Sequence, residues 1–140
     1  MPFQLTPAHI EAIVGPAAYG EWKPFLDALD PNVNWMIGDH VSNEKQRTGT
    51  YNVQTWLANV QKPLFQRLTG PVHMKIDHLD VVGSKAIFEA SGFATQKNGK
   101  PYNNKFCWIM IFNDDTGKVV AIREYINSAL LREVFEENEV

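Results

Sequence analysis

The chain has 140 residues, a formal net charge of −3, 44% hydrophobic residues and 21% charged residues. At this length roughly two-thirds of the unfolded surface can be buried, so one real core is possible and disorder is excluded for most of the chain. The 13 Lys and Arg residues are scattered along a slightly acidic chain, which excludes the basic field that nucleic acid requires.

The first residues, Met1 to Pro7, have neither a charged start nor an apolar stretch, so no secretory leader is expected and the default compartment is the cytoplasm. No run approaches the eighteen or so apolar residues of a membrane helix. Thr6-Pro7 is a helix start, with an N-cap hydroxyl and then a proline at the first helical position. Ile10, Ile13 and Val14 follow at helical spacing, and Gly15-Pro16 stops the helix. A second helical pattern carries Tyr19, Trp22, Phe25, Leu26 and Leu29, with Pro24 shortening its start and Asp30-Pro31 ending it. Asn32 to Ile37 reads as a strand, and residues 38–50 as a polar loop. A third helix is expected from Val53 to Leu68, its stripe made by Val53, Trp56, Leu57, Val60, Leu64 and Leu68, with a kink at Pro63.

Four strand-like runs follow, at 72–82, 85–96, 102–113 and 118–126. Their short glycine-containing connections, at Gly83-Ser84, Asn98-Gly99 and Asp115-Thr116-Gly117, favour an antiparallel meander. Ser128 to Glu136 is helical, and the Glu-Glu-Asn-Glu-Val end reads as frayed or exposed. Helices ahead of a run of strands indicate an α+β domain spanning residues 1–140.

The lone cysteine, Cys107, excludes an intramolecular disulfide; its apolar run, Phe106 to Phe112, marks it as a buried thiol rather than a nucleophile. Asp77, His78 and Asp80 invite a metal reading. Strand alternation keeps them from facing one way, and no Cys or His partner spacing supports them, so no metal and no cofactor is expected. No phosphate loop and no nucleophile elbow is present.

Alternation also sorts the last two strands into faces. Val120, Ile122, Glu124 and Ile126 share a face that is apolar except for one carboxylate. Burial there raises a carboxyl pKa toward use as a general acid or base, while a structural ion pair is the competing reading. Asn104, Phe106, Trp108 and Met110 share a face of the preceding strand, an aromatic wall with a polar end, as small-molecule pockets show. Trp35 and Ile122 join these four as the candidate substrate-binding set. His40, in the loop after the Trp35 strand, and Tyr51, at the start of the next helix, are candidate partners of Glu124; an exposed loop histidine is the other reading of His40.

Three stretches carry a resemblance: Asn34 to His40 with Gly49-Thr50-Tyr51, Gly99 to Trp108, and Gly117 to Asn127. With the element order, they resemble the nuclear transport factor 2-like superfamily, in its SnoaL-like branch. The resemblance implies a cone-shaped, curved antiparallel sheet packed by N-terminal helices around one pocket, and a homodimer. It implies proton-transfer chemistry without a cofactor (isomerisation, cyclisation or dehydration of a hydrophobic, polyketide- or terpenoid-like molecule), since such relatives include polyketide cyclases and ketosteroid isomerases. Other relatives are noncatalytic, so a ligand-binding or dimerisation module is the alternative. The chain departs from the pattern at Asn127, where an aspartate is usual; that position is expected to cap the final helix.

Overall fold

The computed structural model describes residues 2–44 and 46–140. Met1 of the N-terminal reading and Lys45 of the expected 38–50 loop lie outside them. Helix α1 (Pro7–Val14) starts as its sequence dictates: the Thr6 hydroxyl accepts the His9 N–H at 3.2 Å, and Pro7 occupies a position that needs no donor. A 3-10 turn (Gly15–Tyr19) closes on Gly20 at φ 80°. A side chain there would stand 2.8 Å from Pro71 and would need a left-handed backbone as well. The second helix is shorter than the Tyr19–Leu29 pattern predicts. Pro24 sits in the first turn of α2 (Lys23–Asp27), where proline is tolerated, and Leu29 already opens strand β1 (Leu29–Ile37).

The polar 38–50 segment ends in a short strand, β2 (Gly49–Tyr51), which pairs antiparallel with β1 through Trp35 opposite Tyr51. The long third helix is broken into three pieces: α3 (Val53–Trp56), a π-helical turn (Leu57–Gln61) and α4 (Lys62–Phe65). Pro63 is the physical cause. It has no N–H for the carbonyl of Asn59 four residues earlier, and its ring crowds that carbonyl, so the preceding turn widens. Asn52 and Thr55 cap the start of α3 reciprocally.

Strands β3 (His73–Val82), β4 (Lys85–Thr95), β5 (Pro101–Phe112) and β6 (Val119–Ile126) form the expected antiparallel meander. The full order is β2-β1-β6-β5-β4-β3. The β1–β6 pair is parallel, with Ile37 opposite Glu124, so the sheet is mixed rather than antiparallel throughout. Parallel neighbours cannot be joined by a hairpin; here the chain between them makes the rest of the sheet. Register shifts at Ile76/His78 and Ile111/Phe112 bend the strands and curve the sheet around its helices.

The core lies between that curved face and the N-terminal helices. Ile10, Val14 and Phe25 pack on Phe88, Trp108, Met110 and Ile122. The Phe25 ring stands edge-on to Trp35 and tilted to Trp108, at 5.6 and 5.2 Å between centroids. Cys107 projects to the other side of β5 and is half-buried rather than a core thiol. Asp77 accepts from Ser91 at 2.5 Å and pairs with Lys105 at 3.6 Å. Among the described residues no helix is long and apolar enough to cross a membrane.

Helix α5 (Ser128–Glu137) closes one end of the cone. The Asn127 side chain accepts from the N–H groups of Ala129 and Leu130, the capping role expected for it. The chain end is not frayed at Asn138, which is buried. Its amide donates to Gln96 Oε1 at 2.8 Å and to Val134 O at 3.0 Å, and its own carbonyl oxygen Oδ1 accepts the Asn98 N–H. Gln96 is itself fully enclosed, so removing its partner strands a buried polar group. Asn138→Ala is therefore expected to lower unfolding free energy by about 1–3 kcal/mol, measured by urea denaturation.

Gly92 on β4 has an ordinary strand conformation, and its lack of a side chain answers a packing need. A Cβ there would lie 2.5 Å from the Phe106 ring edge and 3.2 Å from Val72. Gly92→Ala should drive the Phe106 ring off its site at a cost of about 1–3 kcal/mol. A crystal structure of the variant with Phe106 unmoved would contradict this.

Candidate active site

The face assignment made for β6 determines everything at the site. Glu124 turns inward beside Ile122 and is only 6% exposed. Trp35 Nε1 donates to its Oε1 at 2.8 Å. Trp108 lies directly opposite on β5, close enough for its indole to favour the carboxylate, although its N–H makes no well-formed hydrogen bond. Burial outweighs both indoles and pushes the Glu124 carboxyl up from 4.5 to about 7. The result is a carboxyl group that holds or yields a proton near neutrality.

Glu124 lines a narrow cavity of about 60 Å³, with room for a few waters at roughly 10–15 Å³ each. Its walls are nearly all apolar. Trp22, Trp56, Phe65, Phe106 and Trp108 supply most of the flat surface, and Leu131 of α5 closes it. Trp22 is pinned by its N–H to Val72 O at 2.9 Å. Trp56 is stacked on Trp35 at 4.4 Å and 15° between planes.

Tyr102 also lines this cavity and is 2% exposed. Its hydroxyl oxygen accepts from Asn104 Nδ2 at 2.9 Å, and its proton has no protein acceptor among the described residues. Burial, with the nearby Glu124 charge, raises its pKa far above the usual value for a phenol, so it stays a neutral donor. That is the property a developing oxyanion requires.

The nine residues picked from sequence divide in the structure. Glu124, Phe106 and Trp108 line the cavity together. Trp35 stands behind the wall and reaches the site only through its bond to Glu124. Met110 and Ile122 are enclosed core residues. Asn104 is spent within the protein, on Tyr102, the Asn127 backbone and the Lys105 N–H. His40 is exposed, with Nδ1 at 3.2 Å from Thr50 Oγ1, and does not line the cavity. Tyr51 turns its hydroxyl to the carbonyls of Arg47 and Thr48, at 2.8 and 3.2 Å, and is not in the cavity wall.

Sequence reasoning missed Tyr102 and Arg47. Tyr102 was within reach, because it shares the inward face of Asn104, Phe106 and Trp108 by simple alternation. Arg47 left no such signal, since no periodicity governs a loop. Among the described residues no three His, Cys, Asp or Glu side chains stand close enough to hold a metal ion.

Neither a protein-family model nor a curated protein sequence matches the chain. Its backbone is nevertheless similar to many solved structures. A nuclear transport factor 2-like protein from Burkholderia pseudomallei superposes with a TM-score of 0.72 at 17% identity, over 91% of this chain and 95% of that one. The BvnE pinacolase from Penicillium brevicompactum gives 0.70 at 11% identity, over 92% and 90%. A putative isomerase from Rhodopseudomonas palustris gives 0.67 at 11% identity, over 96% and 100%. With its mixed curved sheet and its N-terminal helices, the chain has the nuclear transport factor 2-like fold.

Proposed function

We propose that the protein is a cofactor-independent enzyme that moves a proton on a flat, hydrophobic carbonyl compound, with Glu124 as the proton carrier. The observation that carries this reading is a solitary carboxyl group, raised to about 7, inside an apolar cavity it shares with a neutral phenol donor. In the ionised form, Glu124 takes a proton from the carbon beside the carbonyl; the C–H electron pair forms a C=C bond and the carbonyl π pair moves to the oxygen. The Tyr102 hydroxyl donates to that oxygen as it gains charge. Protonated Glu124 then returns the proton to another carbon, giving isomerisation, or to a departing hydroxyl, giving dehydration. If the enolate instead attacks a second carbonyl of the same molecule, the new C–C bond closes a ring and protonated Glu124 gives its proton to the resulting alkoxide. The pinacolase and the putative isomerase among the similar folds favour this class over hydrolysis.

The narrow interior favours a planar substrate that slides between indoles. With room for only a few waters, the walls must part for any such ring, and further for a larger polyketide- or terpenoid-like substrate. We also read the protein as a homodimer, because the outer face of β5 and β6 carries Cys107, Ile109, Ile111 and Tyr125, the last 45% exposed. Sedimentation at micromolar concentration should give twice the mass of the chain, and Ile109→Glu should halve it.

The enzyme reading is tested by incubating aromatic ketones and 1,3-dicarbonyls with the protein in D₂O and following deuterium uptake by mass spectrometry. Wild type should accelerate exchange, more so as pH rises through about 7. Glu124→Gln should reduce the rate by about 10²–10⁴. A noncatalytic binding module would bind such compounds without exchange in either protein.

The same carboxyl predicts a stability signature. Its folded pKa exceeds its ordinary value of 4.5, so its stabilising contribution is complete below about 4.5 and is lost as pH rises through about 7. Glu124→Gln keeps an acceptor for Trp35 and removes the titration. The variant should be the more stable protein at pH 8 and should lose that advantage at pH 4.5. Parallel melting curves across that range decide it.

A further inference from the structure

The loop between β1 and β2 brings a second charged group to the cavity. Arg47 lines it together with Glu124, yet the two form no ion pair, and the Glu124 pKa shift owes nothing to Arg47. They therefore mark separate points of one space. Arg47 is held with unusual care for a loop residue. Its φ is 53°, the one left-handed non-glycine among the described residues, a conformation that persists only when its surroundings enforce it. The Tyr51 hydroxyl bonds its carbonyl at 2.8 Å. Its Nη1 donates to Asn59 O at 3.3 Å, the carbonyl that Pro63 cannot serve. Its guanidinium lies 4.2 Å above the Phe135 ring.

What it lacks is an anion. No carboxylate pairs with Arg47 among the described residues, and its Nε N–H is buried with no partner. Such a donor is costly while it stays unmatched. Arg67 makes the deficit larger. It rests on the same Phe135 ring at 4.5 Å, and burial together with the charge of Arg47 lowers its pKa. Two like charges sit beside one ring, and the Nε and Nη2 edge of Arg47 has no protein acceptor among the described residues. A guanidinium edge of that kind matches a planar pair of oxygens.

We propose that Arg47 binds a planar, delocalised oxyanion, a carboxylate or an ionised enol, on a flat apolar molecule held between the cavity's aromatic walls. This deepens the proton-transfer reading, on which it rests for its substrate class: the substrate is an acidic aromatic or conjugated carbonyl compound, anchored at Arg47 so that its reacting carbon meets Glu124. Lysine would supply charge without the fork, and glutamine neither.

Calorimetry with three probes tests this: 2-naphthoate, ionised 2-hydroxy-1,4-naphthoquinone and neutral 2-naphthamide. Wild type should bind at least one anion about tenfold or more tightly than the amide. The first two probes distinguish a carboxylate from an enol. Arg47→Gln should abolish that preference and leave amide binding unchanged, whereas Arg47→Lys should retain part of it and guards against a Gln variant that does not fold. Glu124→Gln should keep the preference in full, so a failure of the proton-transfer reading shows as unchanged exchange in that variant and leaves anion binding intact. Equal affinities for acid and amide in wild type, no binding of any probe, or a preference that survives in Arg47→Gln would each overturn the proposal.

Discussion

A carboxyl group placed inside a cluster of indoles is the constraint around which this molecule is arranged. Removing a charge from water is costly, and the protein returns only part of that cost, through one hydrogen bond from Trp35 and the nearby indole of Trp108. The bond from Trp35 crosses from β1 to β6, the one parallel pair in the sheet. That pairing brings the first strand beside the last, so a tryptophan and a glutamate 89 residues apart share one bond. Trp56 then stacks on Trp35, which ties the α3 segment to the same point. Helix, sheet and site are thus fixed by a single polar group that an ordinary core would avoid.

The cavity shows how packing and chemistry share residues here. Trp108 touches Phe25, Trp35 and Phe88 in the core while presenting a face to the cavity. Gly92 leaves the space that Phe106 fills, and Asn104 uses its amide to set the direction of the Tyr102 hydroxyl. Neither Gly92 nor Asn104 lines the cavity. Each restricts a group that does, and the proposed proton transfer would require that restriction, because small errors in position are costly.

The meander and the inward face of β6 were legible because period-two alternation is a local property. Val120, Ile122, Glu124 and Ile126 expose the odd carboxylate on inspection alone. The parallel pairing of β1 with β6 was not, since it is decided by contacts between distant segments. The third helix was legible in part: Pro63 marked the kink, while the regular apolar stripe gave no sign that the backbone widens into a π-turn ahead of that residue. Asn104 looked like a ligand contact because strand alternation gives direction but not what a side chain will meet, and the amide is used up by Tyr102 and Asn127. His40 and Tyr51 sit in and beside a loop whose course no periodicity records.

The π-helical turn ahead of Pro63 carries a consequence for how related chains can diverge. In an unbroken helix the N–H at position 63 would bond the Asn59 carbonyl along the helix axis and crowd the approach of a second donor. Proline at that position cedes the carbonyl to the Arg47 guanidinium. The two positions are therefore coupled: an imino acid at 63 leaves the guanidinium at 47 without a competitor for this carbonyl. Replacement of Pro63 during drift would weaken this one support of Arg47 and leave its contact with the Phe135 ring in place. An arginine at 47 and a proline at 63 should therefore tend to occur together in related chains, although they lie on different elements and do not adjoin in sequence.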